Sequence, residues 1–287
     1  MISLQQLLRS GVEKLRQAGV DNPRLDAEVL LIHILGWSRE KLFLHLYDPV
    51  QPEVHSLFRE VIERRVEGTP VAYLTGQREF MSLVFAVTPD VLIPRPETEL
   101  LVERIIADIT INAPGGLVVD VGTGSGAIGV SVAMYVLGVR VAALDISPQA
   151  LQVARKNARN HGVDQRIDFI QSDLLEKLTT EFRGKVDWMA ANLPYIPSGE
   201  VPHLARDVAG YEPHLALDGG ADGLELYRRL IPQAWEYLKP GGWLGMEIGP
   251  GQGQLLQAEL AGDHWAEAVV IKDYAGLERF VVACKAS

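Results

Sequence analysis

The chain has 287 residues, 47% of them hydrophobic and 22% charged, and a formal net charge of −10. That is the composition of a globular protein long enough for two domains. It lacks the run of about 18 apolar residues that a membrane span needs, and its acidic balance argues against a partner such as long nucleic acid. A single cysteine, Cys284, cannot form an intrachain disulfide, and the seven histidines show no metal-ligand spacing. These features predict a cytoplasmic protein with no structural metal, no membrane association and no stably bound nucleic acid.

Residues 1–75 read as all-helical. "SLQQLLRSGVEKL" repeats apolar residues at helical spacing. "NPRLDAEVLLIHILG" starts on Asn22 with Pro23 at the first helical position and stops on Gly36. "SREKLFLHL" and "QPEVHSLFREVIERRVEG" extend the pattern, giving four short helices. A helical bundle of this size without a cofactor motif is expected to recognise a substrate rather than perform chemistry.

Residues 76–95 change period. "EFMSLVFAV", "TPD" and "VLIP" read as two strands around a turn, a hairpin linking two domains. "RPETELLVERIIADI" then opens a helix with acidic residues in its first turn. Arg95, Glu97 and Thr98 could touch a donor or substrate loop, or could equally be only a strand exit and helix start.

Residues 96–287 follow a strand–helix alternation. "GLVVDVG", "VRVAALDIS", "RIDFIQSD", "KVDWMAAN" and "GGWLGMEIG" are short apolar strands, with helical segments at 126–138, 148–161 and 223–238 between the early ones. This predicts an open, largely parallel α/β sheet. "AEAVVIKD" and "RFVVAC" are separated only by "YAGLE", too short for a parallel crossover, so they should pair antiparallel or leave the sheet.

In "VVDVGTGSGAIGV", Asp120 ends a strand and Gly122, Gly124 and Gly126 follow in alternation, with Thr123 and Ser125 between them. The next strand ends on Asp145, whose carboxylate can accept both hydroxyls of a ribose. Together these describe a site for an adenosine-containing cofactor. "GSGAIG" satisfies the nicotinamide and flavin fingerprint, whereas "DVGTGSG" is the acidic-first loop of S-adenosylmethionine enzymes. Asp120 favours the second, since it would repel a pyrophosphate and suits the amino group of methionine. At the third strand tip, Asp173 could accept from the adenine amino group and Leu174 could press the adenine face.

"ANLPY" ends the fourth strand beside that loop. A planar amide or aromatic amine is a weak nucleophile, because its lone pair is delocalised. Accepting both of its N–H hydrogens orients it and favours pyramidalisation toward an electrophile. The side-chain oxygen of Asn192 and the main-chain carbonyl of Leu193 can be those acceptors. Pro194 holds the residue before it extended, and the Tyr195 ring could wall the planar group.

Nearly the whole chain resembles the peptide-chain release factor glutamine N5-methyltransferases (PrmC/HemK). The shared run includes "DAEVLLIHILG", "GTPVAYLTGQREFMSLVFAVTPDVLIPRPETELLVE", "DVGTGSG", "LDIS", "QSD", "NLPYIP", "YEPHLALDGGADGLELYRRL" and "MEIGPGQ". The resemblance implies a class I S-adenosylmethionine-dependent methyltransferase domain, Rossmann-like and seven-stranded with a C-terminal antiparallel hairpin, behind a small helical domain. It implies S-adenosylmethionine as donor and the glutamine of the Gly-Gly-Gln motif of class I release factors as acceptor; a monomer without a metal is expected. By position, Gly122–Gly126 and Asp145 bind the donor, Leu174 lies beside the adenine, and Asn192, Leu193, Pro194 and Tyr195 hold the glutamine. Leu193 departs from the family's usual Asn-Pro-Pro-Tyr. "NLPY" also occurs in enzymes that dimethylate ribosomal RNA adenines, so adenine-N6 methylation of RNA and glutamine methylation of a ribosomal protein stand as alternatives.

Overall fold

Serines and prolines placed just ahead of apolar runs set where the first helices begin. The computed structural model describes residues 2–262 and 264–287; Met1, at the head of the expected helical domain, lies outside them. Helix α1 (Leu4–Gln17) starts at a reciprocal cap: Ser3 Oγ accepts from the Gln6 N–H, and the Gln6 side chain accepts from the Ser3 N–H. Helix α2 (Pro23–Leu35) ends at Gly36 in the left-handed conformation. Helices α3 (Arg39–Leu44), α4 (Pro52–Val66) and α5 (Val71–Thr75) follow. The sequence pattern anticipates four helices; α5, at five residues, is too short to display a period.

The chain divides into two compact units, Met1–Gln77 with Ala205–Tyr211, and Arg78–Leu204 with Glu212–Ser287. The first unit closes around Leu7, Leu15, Leu30, Leu31, Leu42 and Phe58, all essentially fully buried. Helices α1 and α4 approach at Gly11, where a Cβ would stand 2.7 Å from the Phe58 ring. The distant segment Ala205–Tyr211 is part of this unit. Its Tyr211 hydroxyl donates to the Glu67 carbonyl at 3.0 Å, and Asp207 lies 3.6 Å from Arg65.

In the second unit the hairpin falls earlier than its sequence suggests. Strands β1 (Gln77–Phe80) and β2 (Leu83–Ala86) turn at Met81 and Ser82, both with positive φ (51° and 56°). The segment "VLIP" is not a strand. Positive φ at both central residues matches the right-handed twist of a two-residue hairpin. Met81 is fastened in that conformation by its N–H to Glu99 Oε1 (2.7 Å) and its carbonyl to the Tyr135 hydroxyl (2.6 Å).

Helix α6 (Glu99–Asn112) leads into the sheet: β3 (Leu117–Val121), α7 (Ala127–Tyr135), β4 (Arg140–Asp145), α8 (Pro148–Asn160), β5 (Ile167–Gln171), β6 (Val186–Ala191), β7 (Leu238–Glu247), β8 (Trp265–Lys272) and β9 (Glu278–Lys285). The spatial order is β5-β4-β3-β6-β7-β9-β8. The first five strands are parallel, and β9 inserts antiparallel between β7 and β8. The fold is therefore the expected seven-stranded methyltransferase sheet with antiparallel C-terminal strands. Apolar layers cover both faces, with Val119, Met189 and Leu244 in one and Val118, Trp188 and Val282 in the other.

Candidate active site

Strand register alone brings the candidate residues together. Val121 pairs with Leu144 on one side and Ala191 on the other, and Ala191 pairs with Met246. The next residue of each strand tip is Gly122, Asp145, Asn192 and Glu247, so these four positions lie side by side. The chain order reverses between β3 and β6, which makes this the crevice where open α/β sheets bind ligands. A single cavity there is lined by Gly122, Thr123, Gly124, Ser125, Asp145, Asp173, Leu174, Asn192, Leu193 and Pro194. Thr98, Arg95, Pro213, Leu215 and Arg229 complete parts of its wall.

The glycine loop is shaped from beneath. Gly122, Gly124 and Gly126 all have positive φ. A Cβ on Gly122 would come within 2.9 Å of Leu193 Cδ2, so glycine allows the two loops to touch. Helix α7 begins at Gly126, which has no side chain to cap it. Asp120 does so instead: its Oδ2 accepts from the Gly129 N–H (3.0 Å) and the Thr123 hydroxyl (2.6 Å). Asp120 is fully buried and does not line the cavity, and burial pushes its carboxyl up to about 6 against those two hydrogen bonds. Its Oδ1 has no protein donor. A pyrophosphate at this helix start would meet a carboxylate already seated there.

Asp145 ties the loop to the second strand tip. Its Oδ2 accepts from the Gly124 N–H (2.8 Å) and its Oδ1 from the Ser147 N–H (2.9 Å). Each oxygen has a second lone pair for an outside donor, such as a vicinal diol. Burial raises the Asp145 carboxyl above its usual range, opposed by those backbone donors. Asp173 is paired with Arg229 at 2.7 Å, leaving its Oδ1 for other donors. Leu174 is buried against the cavity with φ 46°, an uncommon conformation for a residue with a Cβ.

The acceptor loop is held from behind. Asn192 Nδ2 donates to Thr98 Oγ1 at 3.3 Å, and Thr98 Oγ1 donates to Glu247 Oε2 at 2.5 Å. The Leu193 N–H donates to the Tyr227 hydroxyl at 3.3 Å. That hydroxyl lies 3.5 Å from the Leu193 carbonyl and much closer to the Glu247 carbonyl; giving its one hydrogen to the nearer oxygen leaves the Leu193 carbonyl with a lone pair for a ligand. Tyr195 does not line the cavity. Its hydroxyl faces Glu247 Oε1 (3.4 Å), its ring edge lies close to Gly249, and its carbonyl accepts from Gln252. Gly126 also sits outside the lining, against Ala154.

Glu247 was missed in the sequence, although it carries the signal that marked Asp120 and Asp145, a carboxylate ending a buried apolar strand. Burial raises its carboxyl to about 7, with the Thr98 and Tyr195 hydroxyls opposing. Glu212 was missed too. It is buried and accepts from the Ile93 N–H (3.2 Å) and from Arg95 (2.6 Å), fixing the wall that Arg95 helps form.

Residues 6–76 match the PrmC N-terminal domain family, and residues 113–254 match a methyltransferase domain family. A release factor glutamine methyltransferase of Moorella thermoacetica is 45% identical over 98% of both chains. One of Koribacter versatilis is 38% identical over 99% of both. This chain belongs to the release factor glutamine methyltransferase family. Among solved structures, the hMettl16 catalytic domain, in complex with a MAT2A 3'UTR hairpin, is 15% identical with a TM-score of 0.57. It covers 70% of this chain and 75% of that one, and shares the fold alone.

Proposed function

We propose that the enzyme methylates the side-chain amide nitrogen of the glutamine in the Gly-Gly-Gln motif of class I peptide chain release factors, with S-adenosylmethionine as donor. The observation that carries this reading is that the amide of Asn192 and the carboxylate of Asp145 line one cavity across the glycine loop. The residues present fit the donor. Asp145 retains lone pairs for the ribose hydroxyls, Leu174 offers an apolar face for a base, and the unmatched Oδ1 of Asp120 favours a cation over a phosphate near the loop. When bound, the donor supplies an electrophilic methyl group on a sulfonium.

The chain supplies orientation. Asn192 Oδ1 and the Leu193 carbonyl would accept the two amide hydrogens of the substrate glutamine, turning its nitrogen toward the methyl group. This preorganised polar pair acts where charge develops on that nitrogen. Pro194 keeps Leu193 extended, so its carbonyl stays directed. Tyr195 supports the loop through Glu247 and Gln252 rather than walling the substrate. The helical unit, residues 1–75 in the domain division, serves recognition of the protein substrate, with 76–95 as linker and 96–287 as the catalytic domain. The enzyme works in the cytoplasm as a monomer. No helix among the described residues is long and apolar enough to cross a membrane.

The test is transfer from labelled donor to unmodified release factor. One methyl group on the Gly-Gly-Gln glutamine is expected, located by peptide mass spectrometry. Label that is resistant to protease and lost with ribonuclease would replace this acceptor with RNA, and label on a ribosomal protein would replace it with that protein.

A further inference from the structure

An asparagine amide can be turned over with little change in shape, exchanging its acceptor oxygen for a donor NH₂. The proposed chemistry works in only one of those orientations, so something must break the tie. The register that sets Glu247 beside Asn192 at neighbouring strand tips supplies the means. In its ionised form Glu247 can only accept. The Thr98 hydroxyl has one hydrogen, and it is committed to Glu247 Oε2 at 2.5 Å. Toward Asn192, 3.3 Å away, the same oxygen can therefore only accept. The group that Asn192 presents to Thr98 must be its NH₂, which leaves Oδ1 on the other side of the amide.

Thr98 ends the 3₁₀ turn Pro96–Thr98 that runs straight into α6, with helical φ and ψ of −63° and −20°, so a cap bond from a first-turn N–H to its hydroxyl is not expected. It makes no such bond. Its hydroxyl is turned away from the helix and into the chain that runs from Glu247 to Asn192. Thr98 and Glu247 are each only 3% exposed, so water does not compete for these bonds. The other carboxylate oxygen of Glu247 faces the Tyr195 hydroxyl at 3.4 Å, which leaves both oxygens in accepting roles.

We infer that Thr98 and Glu247 are positioning residues that lock the Asn192 amide with its oxygen toward the acceptor. They thereby select an N–H-bearing nucleophile over one that offers only lone pairs. This rests on the proposed role of Asn192.

The experiment measures kcat and KM for release factor methylation, with S-adenosylhomocysteine affinity by calorimetry as a readout of folding and of the donor site. Thr98→Val removes the hydroxyl at nearly constant volume. It is expected to lower kcat roughly 10- to 100-fold, the scale of a slightly misplaced reacting group, while KM changes much less. Donor-site affinity should stay within about twofold, far less than loss of one hydrogen bond to a charged group would cause. Thr98→Ser restores the relay and should recover most of kcat. Thr98→Ala carries the same expectation as valine and reports independently if valine disturbs folding.

In an Asn192→Ala background, Thr98→Val should cost nothing more, because there is no amide left to orient; a merely structural threonine would cost the same in both backgrounds. Full kcat in Thr98→Val, or an undiminished loss in the Asn192→Ala background, overturns the relay while leaving the role of Asn192 intact. Undiminished turnover in Asn192→Ala alone overturns that role and the relay with it.

Discussion

Leu193 stands where the family usually carries a first proline, and the structure shows what the leucine contributes. Its side chain is buried against Gly122, and its N–H reaches the Tyr227 hydroxyl. A proline would lose both contacts and would restrict Asn192 to extended geometry. Leu193→Pro is expected to retain turnover within about tenfold, a barrier change under roughly 1.4 kcal/mol, because the carbonyl persists. Its unfolding free energy should fall by about 1–3 kcal/mol through the lost packing and N–H bond. Turnover assays and denaturant titration check the two halves separately. Glu247 gives a residue-scale expectation with a defined sign. Burial, reinforced by Glu97 and opposed by the Thr98 and Tyr195 hydroxyls and Arg279, raises its folded-state carboxyl from 4.5 to about 7. The neutral form is therefore the better tolerated one in the folded protein. Its contribution to stability is fully present below about pH 4.5 and is lost as pH rises through about 7. Glu247→Gln stays neutral throughout. Between pH 4 and pH 8 the wild type should lose about 3 kcal/mol relative to Glu247→Gln, and parallel denaturation curves across that range would contradict it.

At the scale of elements, the sheet and its glycine-rich turn were legible because their signals are local. Apolar runs of strand length, glycines after a strand-ending aspartate, and a connection too short for a crossover each carry their meaning within about a dozen residues. The hairpin turn was not legible. Met81 and Ser82 are neither glycine nor asparagine, and Met81 is held at positive φ by contacts with Glu99 and Tyr135, which lie 18 and 54 residues along the chain. The side on which a strand-tip residue ends up was hidden for the same reason. Asp120 went inward to cap α7 because Gly126 could not, and Tyr195 went toward Glu247, a partner 52 residues away. Thr98 was visible as a residue of either role, and only the position of Glu247 in three dimensions favours one.

For the whole molecule, the segment Ala205–Tyr211 changes what a truncation means. Removing residues 1–77 takes away the Arg65 and Glu67 groups that Asp207 and Tyr211 contact. Glu212, the next residue, anchors the Ile93 N–H and Arg95, which lines the cavity. A chain of about residues 76–287 is expected to keep the donor site, which draws only on the second unit, and to lose most transfer to a release factor. Calorimetry with S-adenosylhomocysteine and the methylation assay distinguish these, and full activity in the shortened chain would show the helical unit to be dispensable. The same segment also imposes a schedule on synthesis. The helices made first on the ribosome wait for a piece of their own unit that is translated about 130 residues later, a delay on the order of 10 s at ordinary elongation rates. Until then Arg65 lacks Asp207, and the surface around Gly68 that Tyr211 and Arg206 later cover stays open. The nascent chain therefore finishes its first unit only after most of its second has been made, so the two cannot mature as independent beads in the order of their sequence.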